Sequence, residues 1–416
     1  MDDLHQLRKM VNPVFNTART CLEFDAGSGD ADSKQLQDAL GFESAMDQDT
    51  KKVVPPEMME TARRLGPVFS TYVVTRFHGM NRLIASMPDR AIVDLPCGYT
   101  SRGIKMSHEG RTYFGFDLPA VIDAMTPAVA KIPGDYEKIH YAAVDATNYE
   151  SMEAPLSGVT TPLLITTEGL LMYFTQPELE IVFANVLRLL QKHGGSWVVV
   201  DRTYFMNEQR IAEALLTDDE KSLAVFKSFS AKGASTFADL KTFNNVIFTG
   251  SDEEVKSFIG KMGFEIKEIC MADYLPEQIA TLKSIPEAEA GLRDVFKTMF
   301  FWELRARADK DVKADLNVPF EVQTSFEDSK LAVKIQGRMD TITAPELLSK
   351  FQNISGKATE IEVDVEKMTY VSSAGLRVLL IMYKSLEDKS KFKMLNVSDE
   401  VKEILEVTGF ADFLLA

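Results

Sequence analysis

A short segment beginning at Ile92 constrains the fold of this 416-residue chain more than any other stretch. An apolar run closes on Asp94, and Pro96 and Gly98 then force a tight turn before a helix-compatible segment. This order of strand, turn and helix is typical of α/β nucleotide-binding folds, whose ligands bind beyond the carboxyl ends of the strands. Gly98 tolerates positive φ and lets the backbone approach a ligand where a Cβ atom would collide. A buried strand followed by an ordinary turn explains the same pattern, so the neighbouring segments must decide.

Three more strands follow, and each ends on an acidic residue or directly before one. The predicted strands are 113–117, 139–144 and 162–167, and the acidic residues are Asp117, Asp145 and Glu168. Asp117 lies roughly 20 residues beyond the glycine turn, where such folds hold ribose hydroxyls. Together with Asp94, these residues place four carboxylates at one edge of the sheet. Such an edge indicates a site for a ligand that is rich in hydrogen-bond donors or positively charged.

Three motifs in this region carry a family resemblance. They are Val93-Asp94-Leu95-Pro96-Cys97-Gly98 with Arg102, Phe116-Asp117-Leu118-Pro119-Ala120-Val121-Ile122, and Thr167-Glu168-Gly169-Leu170-Leu171-Met172-Tyr173-Phe174. In combination they resemble the leucine carboxyl methyltransferase family, whose members are class I O-methyltransferases dependent on S-adenosyl-L-methionine (SAM). The resemblance covers residues 60–305, with approximate ends. It implies a Rossmann-like α/β domain, SAM as the cofactor and an oxygen atom as the methyl acceptor.

The resemblance also implies a set of cofactor-binding residues. These are Arg76, Asp94, Gly98, Asp117, Leu118, Asp145, Ala146 and Glu168. Arg76 occupies the place where the family presents an arginine to the methionine carboxylate of SAM, and a guanidinium binds a carboxylate in a two-pronged way. The turn departs from the Gly-x-Gly pattern of the family, because this chain has Pro96, Gly98 and Thr100 there. Pro96 makes the turn stiffer.

Residues 1–60 are predicted to form an N-terminal helical extension, and residues 61–306 the methyltransferase-like domain. Apolar residues recur at helical spacing from Leu4 to Ala18, and a second helical stretch runs from Ser33 to Met46. The extension has two interpretations. It packs on the sheet as a structural addition, or it covers the cofactor as a lid, because the related enzymes cover SAM with N-terminal helices.

The segment after the fifth predicted strand, 196–201, is expected to lie over the acceptor pocket. Arg202 could pair with an anionic acceptor and Tyr204 could line the pocket, but a buried salt bridge and a core aromatic explain them equally well. Methyl transfer needs in-line placement of the acceptor oxygen and exclusion of water. A carboxylate acceptor is already ionised at neutral pH, so no catalytic base is assigned. Strands at 263–269 and 299–304 could form the antiparallel end of the sheet.

The pattern changes after residues 305–313, where charge alternates without apolar periodicity, and this change predicts a linker at residues 307–318. Residues 319–416 are predicted to form a small α/β domain, with strands at 330–337, 360–365 and 392–395 and helices at 344–351, 373–384 and 401–407. The motif Tyr370-Val371-Ser372-Ser373-Ala374-Gly375-Leu376-Arg377-Val378-Leu379-Leu380 resembles the STAS family (sulfate transporter and anti-sigma factor antagonist domains). A second turn, Gly337-Arg338-Met339-Asp340, resembles the Gly-x-(Leu/Met)-Asp turn of that family.

The STAS resemblance implies an anti-sigma or serine-kinase-like protein as partner, and phosphorylation of Ser373, which matches the phosphorylated serine of anti-sigma factor antagonists. A phosphate at a helix N-terminus meets the helix dipole and free amides, yet it adds about two negative charges to a binding face. The simpler interpretation is that Ser372 and Ser373 only cap the helix.

Composition narrows the class of partner. A formal net charge of −16 disfavours a nucleic-acid backbone, which calls for clustered Lys and Arg. The three cysteines, Cys21, Cys97 and Cys270, are far apart without metal-ligand spacing, so we expect no metal site and a reducing compartment. The N-terminus lacks a signal-peptide pattern, and no apolar run approaches the roughly 18 residues of a membrane span. We expect a cytoplasmic protein without a membrane partner.

Two functional hypotheses remain open at this point. In the first, the protein is a SAM-dependent O-methyltransferase that acts on a small-molecule or protein carboxylate, or on a hydroxyl, and carries a regulatory STAS domain. In the second, it is a non-catalytic member of a partner-switching pathway, and its methyltransferase-like domain senses a ligand or serves as a scaffold. The number of family positions retained on the cofactor side favours the first hypothesis. The altered turn at Pro96 favours the second.

Overall fold

The computed structural model describes residues 15–42, 59–216, 219–231, 245–282, 286–307, 320–340, 343–354, 356–407 and 409–415. It separates into two compact units, one within residues 14–312 and the other within 313–416. The predicted linker at 307–318 lies outside the described residues except for Arg307. Within the described part of the chain, no helix is both long enough and apolar enough to cross a membrane.

The larger unit is built on a seven-stranded sheet. Its strands are β1 Ala91–Asp94, β2 Tyr113–Asp117, β3 Ile139–Ala143, β4 Leu163–Thr167, β5 Gly195–Val199, β6 Phe264–Cys270 and β7 Phe300–Ala306. They lie in the order β3-β2-β1-β4-β5-β7-β6, and β7 runs antiparallel to both of its neighbours. All seven strands predicted from the sequence are present, with ends that differ by one or two residues. The antiparallel end predicted for the sheet is confirmed.

Helices surround this sheet. They are α1 Phe15–Gly27, α2 Ala31–Leu40, α3 Met59–Ala85, α4 Arg102–His108, α5 Pro119–Val129, α6 Tyr149–Glu153, α7 Gln176–His193, α8 Asp201–Leu215, α9 Glu220–Ala231, α10 Val246–Thr249, α11 Asp252–Lys261 and α12 Glu289–Phe296. Consecutive residues of β1 face opposite cores, with Ile92 packed among residues of α3, α8 and α12 and Val93 among residues of α7 and α11. Because both faces are covered, the central strands are apolar along their whole length, which makes them recognisable in the sequence.

Local sequence explains where helix α7 begins. A reciprocal pair caps α7, since the Thr175 hydroxyl accepts a hydrogen bond from the Glu178 amide and the Glu178 carboxylate accepts one from the Thr175 amide. The following apolar residues repeat every three or four positions, so one face of α7 is buried against the sheet.

The two N-terminal helices pack against the glycine turn. Leu22 of α1 and Leu36 of α2 share a core with Cys97 and Tyr99 of the turn. Helix α2 ends at Leu40, several residues before the predicted end at Met46, because Gly41 caps it and donates its amide to the carbonyl of Gln37. Residues 1–14, which hold most of the first predicted helix, lie outside the described residues.

The smaller unit has a four-stranded sheet in the order β11-β10-β9-β8. Its elements are β8 Glu321–Glu327, β9 Lys330–Met339, α13 Ala344–Gln352, β10 Glu360–Val371, α14 Ser373–Ser385, β11 Phe392–Leu395, α15 Asp399–Val407 and α16 Ala411–Leu414. Strand β8 pairs antiparallel with β9, and the other pairs are parallel. Alternate residues of β9 and β10 form one core with the helices. The α/β prediction for this unit is confirmed, although β8 was not predicted.

Candidate functional site

The tip of β2 and the glycine turn meet at the carboxyl edge of the larger sheet. Gly98 has φ +50°, a conformation that favours glycine, and its amide donates to Oδ2 of Asp117 at 2.7 Å. The Leu118 amide donates to Oδ1 of Asp117 at 2.7 Å. Burial raises the pKa of Asp117 to about 6, although both amides oppose this increase. Each carboxylate oxygen keeps a lone pair, so Asp117 can accept hydrogen bonds from two ligand hydroxyls.

The end of β3 lies beside this carboxylate, since the Val144 amide donates to the backbone carbonyl of Asp117 at 2.8 Å. Oδ1 of Asp145 accepts hydrogen bonds from the amide and the hydroxyl of Thr147, at 2.8 and 2.6 Å. Asn185 of α7 donates to the carbonyl of Ala146 at 3.0 Å. These bonds hold the segment after β3 in a fixed position next to Asp117.

The carboxylate of Asp94 is occupied by groups of the protein. Its carboxylate accepts two hydrogen bonds from Nη1 of Arg102, at 2.8 and 2.9 Å, one from the Tyr113 hydroxyl and one from the Thr166 hydroxyl. Four bonds saturate a carboxylate, and the side chain is fully buried. The cofactor contact expected of Asp94 stays a prediction. Asp94 holds Arg102 in place.

Two arginines flank Glu168, the residue that follows β4. Nε of Arg76 lies 2.7 Å from Oε2 of Glu168, and Arg102 forms a hydrogen-bonded ion pair with Oε1. Arg102 also donates to the side chain of Asn81 at 2.7 Å. All of these groups are nearly buried. An arginine and a carboxylate side by side offer complementary charges to a zwitterionic group, such as the end of an amino acid.

Two further carboxyl groups complete this region. Asp201 lies two residues after the end of β5, and its Oδ1 accepts a hydrogen bond from the amide of Leu170 at 2.9 Å. Burial raises the pKa of Asp201 to about 6, with Arg76 opposing the increase. Asp25 of α1 is 4% exposed, and desolvation raises its pKa well above the ordinary value. Neither residue was among the candidates from the sequence.

We refer to six of these residues as the buried charge cluster. They are Asp25, Arg76, Asp94, Arg102, Glu168 and Asp201. The cluster holds four carboxyl groups against two guanidinium groups, so its full ionisation leaves two negative charges. Negative charge in a buried site favours a cationic ligand, because the ligand offsets the cost of removing the carboxylates from water.

The guanidinium group of Arg202 binds Asp252 and the backbone of Ile247. Its Nε and Nη2 donate to Oδ1 of Asp252 at 2.9 and 2.7 Å, and its Nη1 donates to the carbonyl of Ile247 at 3.0 Å. All three guanidinium nitrogens of the buried Arg202 are engaged, but the side chain of its partner Asp252 is 69% exposed, so the ion pair lies at the surface of the unit. The side chain of Tyr204 lies outside what the structure describes. The acceptor-facing roles of both residues stay predictions.

The two motifs of the smaller unit lie against each other. The Ser372 amide donates to the carbonyl of Met339 at 3.0 Å, so the start of α14 lies against the end of β9. Ser372 caps α14, with its hydroxyl accepting the Gly375 amide at 3.4 Å. A Cβ atom on Gly375 would lie 2.7 Å from the Met339 carbonyl oxygen, which explains the glycine. Ser373 is the first residue of α14, and its side chain lies outside the described part.

Comparison with known proteins identifies this unit. The family model described as "Mlab, STAS domain" matches residues 322–416. An anti-sigma-B factor antagonist from Staphylococcus aureus is 30% identical over 95 residues, which are 22% of this chain and 88% of that protein. A solved anti-sigma factor antagonist from Mycobacterium paratuberculosis covers 23% of this chain and 83% of its own, with 18% identity and a TM-score of 0.22. Through residues 322–416, the chain belongs to the STAS domain family, which includes these anti-sigma factor antagonists.

The larger unit also has solved neighbours. Human N-acetylserotonin methyltransferase, solved in complex with SAM, covers 69% of this chain and 66% of its own, with 13% identity and a TM-score of 0.33. These values are low, so the fold assignment rests on the strand order and the antiparallel β7. That arrangement is the Rossmann-like sheet of class I methyltransferases. A specific relation to leucine carboxyl methyltransferases stays a prediction.

Sequence patterns could have indicated one of the missed residues. Asp201 follows the end of a strand of the sheet, as Asp145 and Glu168 do, so the rule that selected those two applies to it. Asp25 lies on α1 and reaches the site only through tertiary packing. Nothing in its immediate sequence distinguishes it from a surface carboxylate of an amphipathic helix.

Proposed function

We propose that the larger unit binds SAM at the carboxyl edge of its sheet and transfers the methyl group to a carboxylate or hydroxyl oxygen. In this proposal the STAS unit binds a regulatory protein. The observation that carries the proposal is the buried charge cluster, which lies with the Asp117 turn at the edge where this fold binds its ligands.

The residues at this edge fit the chemical groups of SAM. Asp117 has lone pairs for two ribose hydroxyls, and Asp145 with Ala146 lies next to it on the adenine side. Arg76 suits the methionine carboxylate, and Glu168 suits the ammonium group. The excess of carboxyl groups in the cluster suits the positive sulfonium. When bound, SAM supplies an electrophilic methyl group, and the chain supplies binding, orientation and exclusion of water.

Exclusion of water is the task of the N-terminal helices. Ala18 of α1 lies 3.6 Å from the position that a Cβ atom of Gly98 would occupy, so α1 packs directly on the turn. Lys105 of α4 forms ion pairs with Asp30 at 2.6 Å and Asp32 at 3.0 Å, which attach the N-terminal end of α2 to the sheet domain. This packing supports the lid interpretation of the extension.

For the acceptor, no residue of the chain is assigned as a general base. A carboxylate acceptor needs none, because its oxygen is ionised at neutral pH. Arg202 and Tyr204 remain the candidates for the acceptor side. Since Arg202 is fully engaged with Asp252 and Ile247, an acceptor role for it requires that this salt bridge opens.

For the STAS unit, we propose an anti-sigma factor or a serine-kinase-like protein as partner and Ser373 as the phosphorylated residue. Family membership supports the partner class. The position of Ser373 at the start of α14 supports the site, because a phosphate there can interact with the helix dipole. Incubation with kinase-bearing extract is expected to add one phosphate at Ser373 and none in Ser373→Ala. A folded wild-type domain without added phosphate would contradict this assignment.

The same site supports a second function, that of a non-catalytic SAM sensor in a partner-switching pathway. Helix α1 lies over the glycine turn and contributes Asp25 to the charge cluster, an arrangement that suits ligand detection as well as catalysis. Only the enzyme transfers methyl groups from SAM, so methyl release distinguishes the two functions. Release of labelled methyl groups from SAM in the presence of cell extract, lost in Asp117→Ala, supports the enzyme. Binding of SAM without any methyl release supports the sensor.

A further inference from the structure

One carboxylate of the cluster comes from the lid and not from the sheet. Asp25 lies on α1, 4% exposed, and among the described residues nothing donates a hydrogen bond to its Oδ1. Charged groups from four other parts of the unit act on it: Asp30 before α2, Arg76 on α3, Arg102 on α4 and Glu168 after β4. Cys21, on the same helix, is also within electrostatic range.

The position of Asp25 is fixed relative to the glycine turn. The Ser33 and Ser101 hydroxyls are 2.8 Å apart, and Asp30 caps α2 by accepting the Ser33 amide at 2.8 Å. With the ion pairs of Lys105, these bonds tie the lid helices to α4 and the turn. Asp25 is therefore held over the charge cluster whenever the lid is closed.

Burying the ionised carboxylate of Asp25 costs free energy unless a cation lies beside it. Both arginines of the cluster already pair with Glu168, and Arg102 also pairs with Asp94. Burial and the neighbouring carboxylates Asp30 and Glu168 raise the pKa of Asp25. A buried oxygen that accepts no hydrogen bond loses its hydration without compensation. An additional positive charge that needs no hydrogen bond, such as a sulfonium, would provide that compensation.

We propose that Asp25 recognises the sulfonium charge of SAM and makes the site prefer SAM over its uncharged-sulfur product, S-adenosylhomocysteine. The proposal rests on the proposed SAM site and adds a role for the lid. Both ligands share the ribose, ammonium and carboxylate groups, so these groups do not distinguish them. The lid thereby closes on the charged substrate and holds the product less tightly.

The test is calorimetric titration of the full chain with SAM and with S-adenosylhomocysteine. The variants are Asp25→Asn and, as matched control, Asp38→Asn, which removes the same type of charge from an exposed position on α2. We expect Asp25→Asn to lower the affinity for SAM by about tenfold and the affinity for S-adenosylhomocysteine by less than about threefold. Asp38→Asn is expected to change neither.

The outcomes separate this inference from the proposed function. If Asp25→Asn lowers the affinities for SAM and S-adenosylhomocysteine equally, Asp25 has a structural role and the inference is overturned. A preference for SAM over S-adenosylhomocysteine that is unchanged in Asp25→Asn also overturns it. If wild-type protein binds neither ligand, the proposed function fails as well. If Asp25→Asn does not fold, the test is the ratio of the wild-type affinities for SAM and S-adenosylhomocysteine, measured at several pH values. We expect it to increase with pH as Asp25 ionises, and a constant preference would overturn the inference.

Discussion

Arg102 offers the strongest test of how the charge cluster supports the larger unit. The guanidinium is 2% exposed and binds Asp94 through two hydrogen bonds, Asn81 through one and Glu168 through an ion pair. Replacing it in Arg102→Met keeps similar bulk but leaves the buried carboxylate of Asp94 without its cation and leaves Glu168 paired with Arg76 alone. Removal of one partner from a buried ion pair costs about 3–5 kcal/mol of folding free energy. We expect a loss of that size.

The chain provides a selective probe for this experiment. Both of its tryptophans, Trp197 and Trp302, are buried in the larger unit, so tryptophan fluorescence during urea unfolding reports on that unit. The matched control is Lys34→Met, which breaks an exposed ion pair with Asp38 and is expected to change stability by less than about 0.5 kcal/mol.

A double variant tests the cause of the loss. Asp94→Asn in the Arg102→Met background removes one uncompensated charge, so it is expected to recover part of the stability, with a coupling energy of about 0.5–3 kcal/mol. An unfolding midpoint of Arg102→Met equal to that of Lys34→Met would refute the reasoning, because it would mean that Asp94 and Glu168 do not need Arg102.

Three other predictions concern separate parts of the molecule. The pKa of Asp117 is raised to about 6 in the folded chain. Its protonated form therefore stabilises the fold below the ordinary pKa of a carboxyl, and this contribution is lost as the pH rises through about 6. We expect Asp117→Asn to reduce this pH-dependent loss of stability, measured by urea unfolding at several pH values. The same pH dependence of the unfolding free energy in Asp117→Asn and in the wild-type chain would contradict this prediction. Gly375→Ala places a Cβ atom 2.7 Å from the Met339 carbonyl and is expected to destabilise the smaller unit by about 1–3 kcal/mol, seen as a lower transition in scanning calorimetry. Lys105→Met removes the ion pairs with Asp30 and Asp32, so limited proteolysis of α1 and α2 is expected to accelerate, and wild-type rates would exclude this attachment.

Much of the fold was predictable because burial leaves a clear pattern. Strands β1, β2 and β4 are buried at every residue, so they appear as continuous apolar runs that end at acidic residues. Strand β8 gave no such signal. Only Val322 of its seven residues is buried, since β8 lies at the edge of its sheet. Its position follows from pairing with β9, which is a tertiary property.

The site was less predictable than the fold for a related reason. The rule that strands end at acidic residues selected Asp94, Asp117, Asp145 and Glu168 alike, without indicating which protein groups each carboxylate would contact. Whether a carboxylate faces a ligand or an internal arginine depends on long-range partners, and for Asp94 these are Arg102, Tyr113 and Thr166. Asp25 reaches the cluster through helix packing alone.

The central claim is that the carboxyl edge of the larger sheet binds SAM. The most direct measurement is calorimetric titration of SAM into the full chain, with Asp117→Ala and, as control, the exposed Asp123→Ala on α5. We expect micromolar binding by the wild-type chain and by Asp123→Ala, and its loss in Asp117→Ala. Absence of binding by the wild-type chain, or equal binding by Asp117→Ala, would contradict the account and leave the STAS unit as the functional part of the molecule.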